Sequence, residues 1–188
     1  MCIPTEEQRL NSITEAMGRM RVNWAVLTPS FVGFINPEEV PEVKTLVLAG
    51  EAMSKHHIEK WSHINLVNGY GPSECSVAAA VNSKVTTDTS PANIGTATGA
   101  YLWVADPDDH EILVPIGSVG ELLVQGPTLA RHYHNDPGKT AESFVECPTW
   151  ASSGLGEDLS KWRIYKTGDL VKQNEDGTFE FIGRKDTQ

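Results

Sequence analysis

Apolar and polar residues in the first half of the chain alternate in blocks that predict short strands separated by helices. The apolar run Trp24–Leu27 predicts one strand. Residues 45–50 form an apolar run without polar alternation, which is typical of a parallel strand covered on both faces. Ser54 is a suitable N-cap for a helix, and residues 64–67 predict the next strand. The order strand, helix, strand indicates an α/β fold.

The N-terminal residues predict a helix that packs on this sheet. Thr5 precedes two glutamates, as expected of a helix N-cap with acids in the first turn. Apolar residues then recur at helical spacing, which predicts one buried stripe; they are Leu10, Ile13, Met17 and Met20.

The second half of the chain has short strand patterns instead. We predict strands at about 101–105, 112–114, 121–125, 164–165, 169–172 and 178–182. A helix is predicted at about 137–144, where Pro137 suits the first helical position. Residues 150–161 are rich in Ser, Gly and acid and predict an exposed loop. This spacing of short strands suggests a small barrel or a distorted sheet.

One loop concentrates residues that suit a nucleotide, Asn68-Gly69-Tyr70-Gly71-Pro72-Ser73-Glu74. Its glycines allow close approach of the backbone, and Tyr70 offers a ring face for a flat base. Ser73 offers a hydroxyl for phosphate, and Glu74 offers a hard oxygen ligand for Mg²⁺. Taken alone, the same string is also compatible with a tight turn that carries a surface acid.

Three further motifs follow the loop in order: GELLVQGPTLAR from Gly120, YKTGDL from Tyr165 and GRKD from Gly183. Together the four motifs resemble those of the adenylate-forming enzymes, and most closely the adenylation domain of nonribosomal peptide synthetases. The resemblance extends from about residue 4 to residue 188. It implies that residues 1–95 are the second half of a large α/β subdomain and residues 96–184 a small distorted β-barrel subdomain. Residues 185–188 would begin a hinge to a C-terminal subdomain.

The resemblance also implies roles for single residues. The residues that would bind ATP or AMP come from three of the motifs; they are Gly69, Tyr70, Gly71, Ser73, Asp169 and Arg184. Within it, Tyr70 would stack on adenine and Asp169 would accept the ribose hydroxyls. Glu74 would bind Mg²⁺, and Asp186 would mark the hinge. Two of these residues also have an interpretation without a ligand. Asp169 could be an aspartate of a turn, and Arg184 could be a solvated cation at the end of a strand.

The reaction implied by the resemblance joins a carboxylate to the α-phosphate of ATP and releases pyrophosphate. The acyl group then passes to the phosphopantetheine thiol of a carrier (thiolation) domain. The side-chain pocket would be lined by small or apolar residues, namely Val26, Val47, Ala49, Gly69, Val77 and Ala78. Because a charged group would have no partner there, we expect a substrate with an apolar side chain. Whether it is an α-amino acid, a β-amino acid or an aryl acid stays open.

Two expected features of the family have no counterpart in the sequence. A Ser/Thr/Gly-rich phosphate loop that ends in lysine is not found before Asn68, and the catalytic lysine is expected beyond Gln188. We therefore expect a fragment that needs the remaining parts of an adenylation domain and is inactive alone. Two alternatives stay open, a non-catalytic nucleotide-binding or structural remnant and an acyl-CoA or aryl-acid ligase of the same superfamily.

Composition argues against nucleic acid and membrane as partners and favours the cytoplasm. The formal net charge of the 188 residues is −10, which argues against nucleic acid as a partner. Three cysteines without CxxC spacing favour a reduced, cytoplasmic protein without a zinc site. We expect no membrane span, since no apolar run reaches about 18 residues. Gly138-Lys139-Thr140 imitates the end of a P-loop but lacks the upstream glycine, so we interpret Lys139 as a helix residue.

Overall fold

The computed structural model describes residues 2–154 and 157–186. The chain forms two compact units: unit 1 comprises Met1–Gly69 and Asn82–Pro91, and unit 2 comprises Tyr70–Val81 and Ala92–Gln188. The subdomain boundary that we predicted after residue 95 stays a prediction. No helix in the described part of the chain is long and apolar enough to cross a membrane.

Unit 1 begins with two short helices, α1 (Glu6–Asn11) and α2 (Ile13–Arg19). Thr5 caps α1 as predicted, and its side chain and that of Gln8 form a reciprocal capping box. The single buried stripe that we predicted is wrong, because the backbone leaves helical geometry at Ser12. Met17 is buried, whereas Leu10 is 63% exposed.

Three parallel strands follow in unit 1: β1 (Trp24–Leu27), β2 (Thr45–Ala49) and β3 (Asn65–Tyr70). The short helix α3 (Pro29–Val32), a 3₁₀ turn (Pro37–Glu39) and α4 (Lys55–Trp61) connect them. Val26 pairs in register with Val47, and Ala49 pairs with Gly69. The strand β3 is longer than we predicted, so Asn68, Gly69 and Tyr70 belong to it rather than to a loop.

The core of unit 1 confirms the predicted α/β packing. The buried side chains of β2, α3, α4 and the loops around them form one apolar cluster, which includes Leu46, Leu48, Ile58 and Trp61. The strand β1 is less covered, with Trp24 57% and Val26 50% exposed. A cavity of about 780 Å³ lies beside it, between the helix α2 and that strand, with mostly apolar walls.

Unit 2 is built from short antiparallel strands. They are β4 (Ala80–Asn82), β5 (Asn93–Ala97), β6 (Tyr101–Ala105), β7 (Val119–Gln125), β8 (Phe144–Val145), β9 (Ser153–Gly154), β10 (Glu157–Asp158), β11 (Ile164–Gln173) and β12 (Phe179–Arg184). The main sheet has the order β4, β5, β12, β11, β7, β6, with β8 added to β11, while β9 and β10 pair with each other. The predicted helix at about 137–144 is confirmed as α5 (Pro137–Ser143), and the strand β8, which we did not predict, follows it. Closure of these strands into a barrel stays a prediction.

Two local expectations for unit 2 were wrong. Residues 112–114 form only an isolated bridge, from Leu113 to Ala105, and no strand. The stretch 150–161 is not simply an exposed loop, because Ala151 and Leu159 are fully buried. The amide of the buried Gln125 donates to the backbone carbonyls of both residues, at 3.1 and 3.2 Å, and so fixes this stretch on the sheet. Residues 155 and 156 of that prediction lie outside the described residues.

Candidate functional site

The turn after β3 requires a glycine at position 71. A Cβ atom there would lie 2.4 Å from the carbonyl oxygen of Val77, a distance that real Cβ atoms do not reach. The chain folds back at this point, and the Ala79 N–H donates to the Tyr70 carbonyl at 2.8 Å. Val77 has a φ of 81°, which is a strained conformation for a β-branched residue. Gly71 and Val77 together hold the turn that presents Tyr70 and Glu74.

Asp169 is a largely buried carboxylate that brings three of the predicted residues together. Its residue is 8% exposed. The Tyr70 hydroxyl donates to Oδ2, and Arg184 Nη1 donates to Oδ1 at 3.0 Å. Burial, followed by the negative charge of Asp169, raises the pKa of Tyr70, so the phenol stays a neutral donor. Each carboxylate oxygen has two lone pairs, so both retain acceptor capacity for a ligand.

Arg184 lies across the backbone of the Asp169 turn. Its Nη1 also donates to the Thr167 carbonyl at 2.7 Å, and its Nε donates to Asp186 Oδ1 at 3.0 Å. Gly168 has a φ of 69°, and a Cβ atom there would lie 2.9 Å from Arg184 Nη2. Glycine at 168 therefore serves both the turn and the close approach of the guanidinium group.

Glu74 lies in a second polar cluster of unit 2, among aromatic hydroxyl groups. The Tyr133 hydroxyl donates to Glu74 Oε1 at 2.7 Å. Burial raises the pKa of the Glu74 carboxyl, but hydrogen bonds from Tyr133, the backbone and Tyr165 outweigh it, so the net pKa is lowered. The positive charge of Lys139 acts in the same direction. Glu74 is therefore ionised near neutral pH.

A polar cavity of about 780 Å³ in unit 2 adjoins both clusters. Three of the predicted site residues line it: Glu74, Arg184 and Asp186. Residues that we had not assigned to a site also line it, among them Tyr133, Lys139 and Tyr165. The Lys139 ammonium lies 4.7 Å from the centre of the Tyr133 ring. The cavity is large enough for a nucleotide-sized ligand and has charges of both signs on its walls.

The remaining predicted residues fall in different parts of the two units. Ser73 is exposed at the start of a 3₁₀ turn, Ser73–Cys75. Val47, Ala49 and Gly69 share one face of the unit 1 sheet, since a Cβ atom on Gly69 would meet both neighbours at 3.4–3.6 Å. Val26 lies on the same sheet, in register with Val47. Val77 and Ala78 lie in unit 2, and Val77 is 76% exposed.

A divalent ion would have one carboxylate ligand in the second cluster. Among residues 2–154 and 157–186, no three His, Cys, Asp or Glu side chains are grouped to hold a metal ion. Mg²⁺ commonly takes one or two protein carboxylates and completes its shell with water and phosphate oxygens. An ionised Glu74 fits that requirement.

Sequence reasoning missed Tyr133, Thr167 and Glu121. Tyr133 is separated from Glu74 by 59 positions, and no local pattern links the two. Thr167 had no role of its own in the sequence analysis, although its hydroxyl accepts from the Asp169 N–H at 3.0 Å and donates to the Leu122 carbonyl at 2.8 Å. The motif from Gly120 ends at Arg131, which the family resemblance would pair with a carboxylate; the described side chains show no such ion pair, and the Arg131 carbonyl accepts from Arg163.

Comparison with known proteins identifies the family. The sequence model of the family described as "AMP-binding enzyme" matches residues 1–134, more than half of the chain. The chain belongs to the AMP-binding enzymes. Curated relatives in this family include the nonribosomal peptide synthetase nlsA of Emericella nidulans, with 52% identity over the whole chain. The N-benzoylphenylalaninol synthetase apmA of Penicillium brevicompactum is also 52% identical over the whole chain. The chain spans only 3% and 8% of the length of these two proteins.

Two solved structures have a similar fold. The chain is similar to PA1221, a nonribosomal peptide synthetase protein containing adenylation and PCP domains, with 29% identity and a TM-score of 0.77. The match covers 93% of this chain and 35% of that one. CmiS6 has the same fold at a TM-score of 0.78, over 96% of this chain and 45% of its own. The predicted α/β class and the family resemblance are therefore confirmed.

Proposed function

We propose that this AMP-binding chain supplies the adenosine and metal contacts of an amino-acid-activating adenylation domain in a nonribosomal peptide synthetase. The domain joins a carboxylate to AMP from ATP, releases pyrophosphate and passes the acyl group to the phosphopantetheine thiol of a carrier domain. The observation that carries the proposal is the cluster of Tyr70, Asp169 and Arg184. The relatives' names support the choice of a peptide synthetase over an acyl-CoA ligase.

The Asp169 cluster is suited to the ribose of ATP. An ionised carboxylate only accepts hydrogen bonds, which matches the two hydroxyl groups of a ribose diol. Arg184 neutralises the buried charge of Asp169, and Tyr70 orients its second oxygen. The Tyr70 ring, which packs with Phe181 at a centroid distance of 6.4 Å, is the surface that we assign to adenine.

Glu74 and Lys139 suit the phosphate side of the reaction. Phosphoryl chemistry depends mainly on positioning and on neutralising the charge that develops on the phosphate oxygens. When bound, Mg²⁺ supplies that neutralisation, and the ionised Glu74 is the residue that would hold it. We assign no catalytic group within residues 1–188, and we expect the chain alone to bind adenosine without supporting the complete reaction.

The acyl pocket is assigned to Val26, Val47, Ala49, Gly69, Val77 and Ala78, and it favours a neutral apolar side chain. A charged side chain would be desolvated there without a partner, which costs several kcal/mol, or about a hundredfold in specificity or more. Whether the acid is an α-amino acid or an aryl acid is decided by the assay below.

The test is pyrophosphate exchange into ATP by the full-length protein that carries this chain, with each amino acid and a set of aryl acids. We expect exchange that depends on the added acid, with a neutral apolar one ranked first. A charged amino acid ranked first would contradict the pocket assignment. Absence of acid-dependent exchange, with adenosine still bound, would favour the non-catalytic alternative.

A further inference from the structure

Glu121 is a buried carboxylate that has no role in the proposed function. The residue is 3% exposed and lies in β7, the strand next to β11. Its Oε1 accepts from the Gly168 N–H at 3.0 Å, and its Oε2 lies 3.7 Å from Lys185 Nζ. Burial of a carboxylate is costly unless its oxygens are paired, and these two contacts offset part of that cost.

The first contact supports the turn that carries Asp169. Lys166 pairs with Leu123, and Leu170 pairs with Glu121, so Leu122 alone lies opposite residues 167–169 of β11. This bulge breaks the regular backbone ladder between the two strands. The Glu121 carboxylate accepts the Gly168 N–H in place of a β7 carbonyl, and the Thr167 hydroxyl donates to the Leu122 carbonyl. Side chains thus replace the ladder on both sides of the bulge.

The second contact joins the same bulge to Lys185, the first residue of the predicted hinge segment. The Lys185 N–H donates to the Gly168 carbonyl at 2.8 Å. The Lys185 ammonium donates to the Pro107 carbonyl and lies 3.8 Å from Asp108 Oδ1. Lys185 is therefore fixed to Gly168 through its backbone and to Glu121 through its side chain.

We propose that Glu121 is a positioning residue that sets the Gly168 bulge, and with it the Asp169 carboxylate, while Lys185 completes its ion pairing. This inference rests on the proposed function, in which Asp169 binds ribose. Glu121 borders the polar cavity, but its two carboxylate oxygens face the Gly168 N–H and the Lys185 ammonium, so we assign it no direct bond to the ligand. Its effect on binding passes through the Gly168 N–H and the turn that follows.

Two readouts that require no reaction test this role in the full-length protein: hydrogen exchange at the Gly168 amide and the dissociation constant of adenosine. Glu121→Met keeps the side-chain length but removes both oxygens. We expect the exchange rate of the Gly168 amide and the dissociation constant of adenosine each to rise by about tenfold, because a buried donor left unpaired costs about 1–3 kcal/mol. Glu121→Gln retains an oxygen for Gly168 and should alter exchange by less than about threefold.

The ion pair is tested by a double-variant cycle. Glu121→Gln and Lys185→Met should each weaken the binding of adenosine by about threefold. The loss in the double variant should be smaller than the product of the two, because both variants remove the Glu121–Lys185 ion pair, while Lys185→Met also removes the contacts with Pro107 and Asp108. This cycle also serves if Glu121→Met fails to fold. Lys172→Met is the matched control, since the Lys172–Glu180 ion pair of 3.0 Å joins β11 to β12 away from the bulge. It should change neither readout.

Unchanged Gly168 exchange or unchanged adenosine affinity in Glu121→Met would overturn the positioning role. Additive losses in the double variant would overturn the part assigned to Lys185. A wild-type protein that does not bind adenosine would instead contradict the proposed function, and with it the effect on ribose, so the two failures are distinguishable.

Discussion

Two carboxylates of unit 2, Asp169 and Glu74, differ in whether a positively charged side chain pairs with them. The side chain of Asp169 is 12% exposed and pairs with the Arg184 guanidinium, so its charge is balanced within the protein. Glu74 is hydrogen-bonded by the neutral phenol of Tyr133 and has no ion pair among the described side chains. A phenol orients a carboxylate without cancelling its charge.

This difference supports the two roles that we propose, in which Asp169 accepts hydroxyl groups and Glu74 binds a cation. Asp169, whose charge is neutralised by Arg184, still accepts hydrogen bonds. It attracts a metal ion only weakly, because the positive charge of Arg184 repels the ion. Glu74 has no cation at ion-pair distance among the described side chains, and only the more distant charge of Lys139 acts on it, so it keeps more of its attraction for Mg²⁺ than Asp169 does. The comparison predicts that variants of the two residues fail in different ways.

The largest effect is expected from Gly71→Ala, because residue 71 lies between the two clusters. The added Cβ would overlap the Val77 carbonyl at 2.4 Å and force the backbone to move. Tyr70 and Glu74 would both shift, so adenosine binding and metal binding should be lost together. Calorimetry with each ligand checks this. Gly18→Ala is the control, since a Cβ there meets nothing within 4 Å and should stabilise the helix by about 0.5–1 kcal/mol.

Asp169→Ala should affect the adenosine side alone. It removes hydrogen bonds to a charged group at about 1.5–3 kcal/mol each, so two such bonds correspond to at least a hundredfold loss in ATP affinity. The KM for ATP in pyrophosphate exchange is the measurement, with the exposed Asp88→Ala as control. An unchanged KM and rate would remove Asp169 from the site.

Glu74→Gln should affect the metal side. The amide keeps the shape and one acceptor oxygen but removes the negative charge. We expect the Mg²⁺ concentration for half-maximal exchange to rise by at least about tenfold, a loss typical even of residues one shell further from a metal. Adenosine affinity without metal should not change, and a loss there would contradict the division between the two carboxylates.

Tyr133→Phe should have the smallest effect, and it is pH-dependent. Without the Tyr133 hydroxyl, the pKa of Glu74 should rise, because burial then acts with less opposition. A carboxyl with a lowered pKa stabilises the fold above its unfolded pKa, and this contribution is lost as the pH falls through the folded pKa. The variant should therefore lose less stability than the wild type on acidification. Melting temperatures at pH 7 and pH 4 check this, and equal losses would exclude the Tyr133 contact.

Much of the fold could be predicted from local pattern, but the site only in part. The apolar run of β2 and the cap at Ser54 carry their own signals, and both were confirmed. The strand β5 was missed, because Asn93 and Gly95 have little strand preference and its partner is the distant strand β12, in which Phe179 pairs with Gly95. Tyr133 and Glu121 were missed for the same reason, since only tertiary contacts place them beside Glu74 and Gly168.

The most direct test of the account compares binding of adenosine and of ATP, each with and without Mg²⁺, by calorimetry on the wild type, Asp169→Ala and Glu74→Gln. We expect Asp169→Ala to weaken both ligands whether or not Mg²⁺ is present. Glu74→Gln should bind adenosine as the wild type does and lose only the increase in ATP affinity that Mg²⁺ provides. Equal weakening of metal-free adenosine by both variants would contradict separate roles for the two carboxylates.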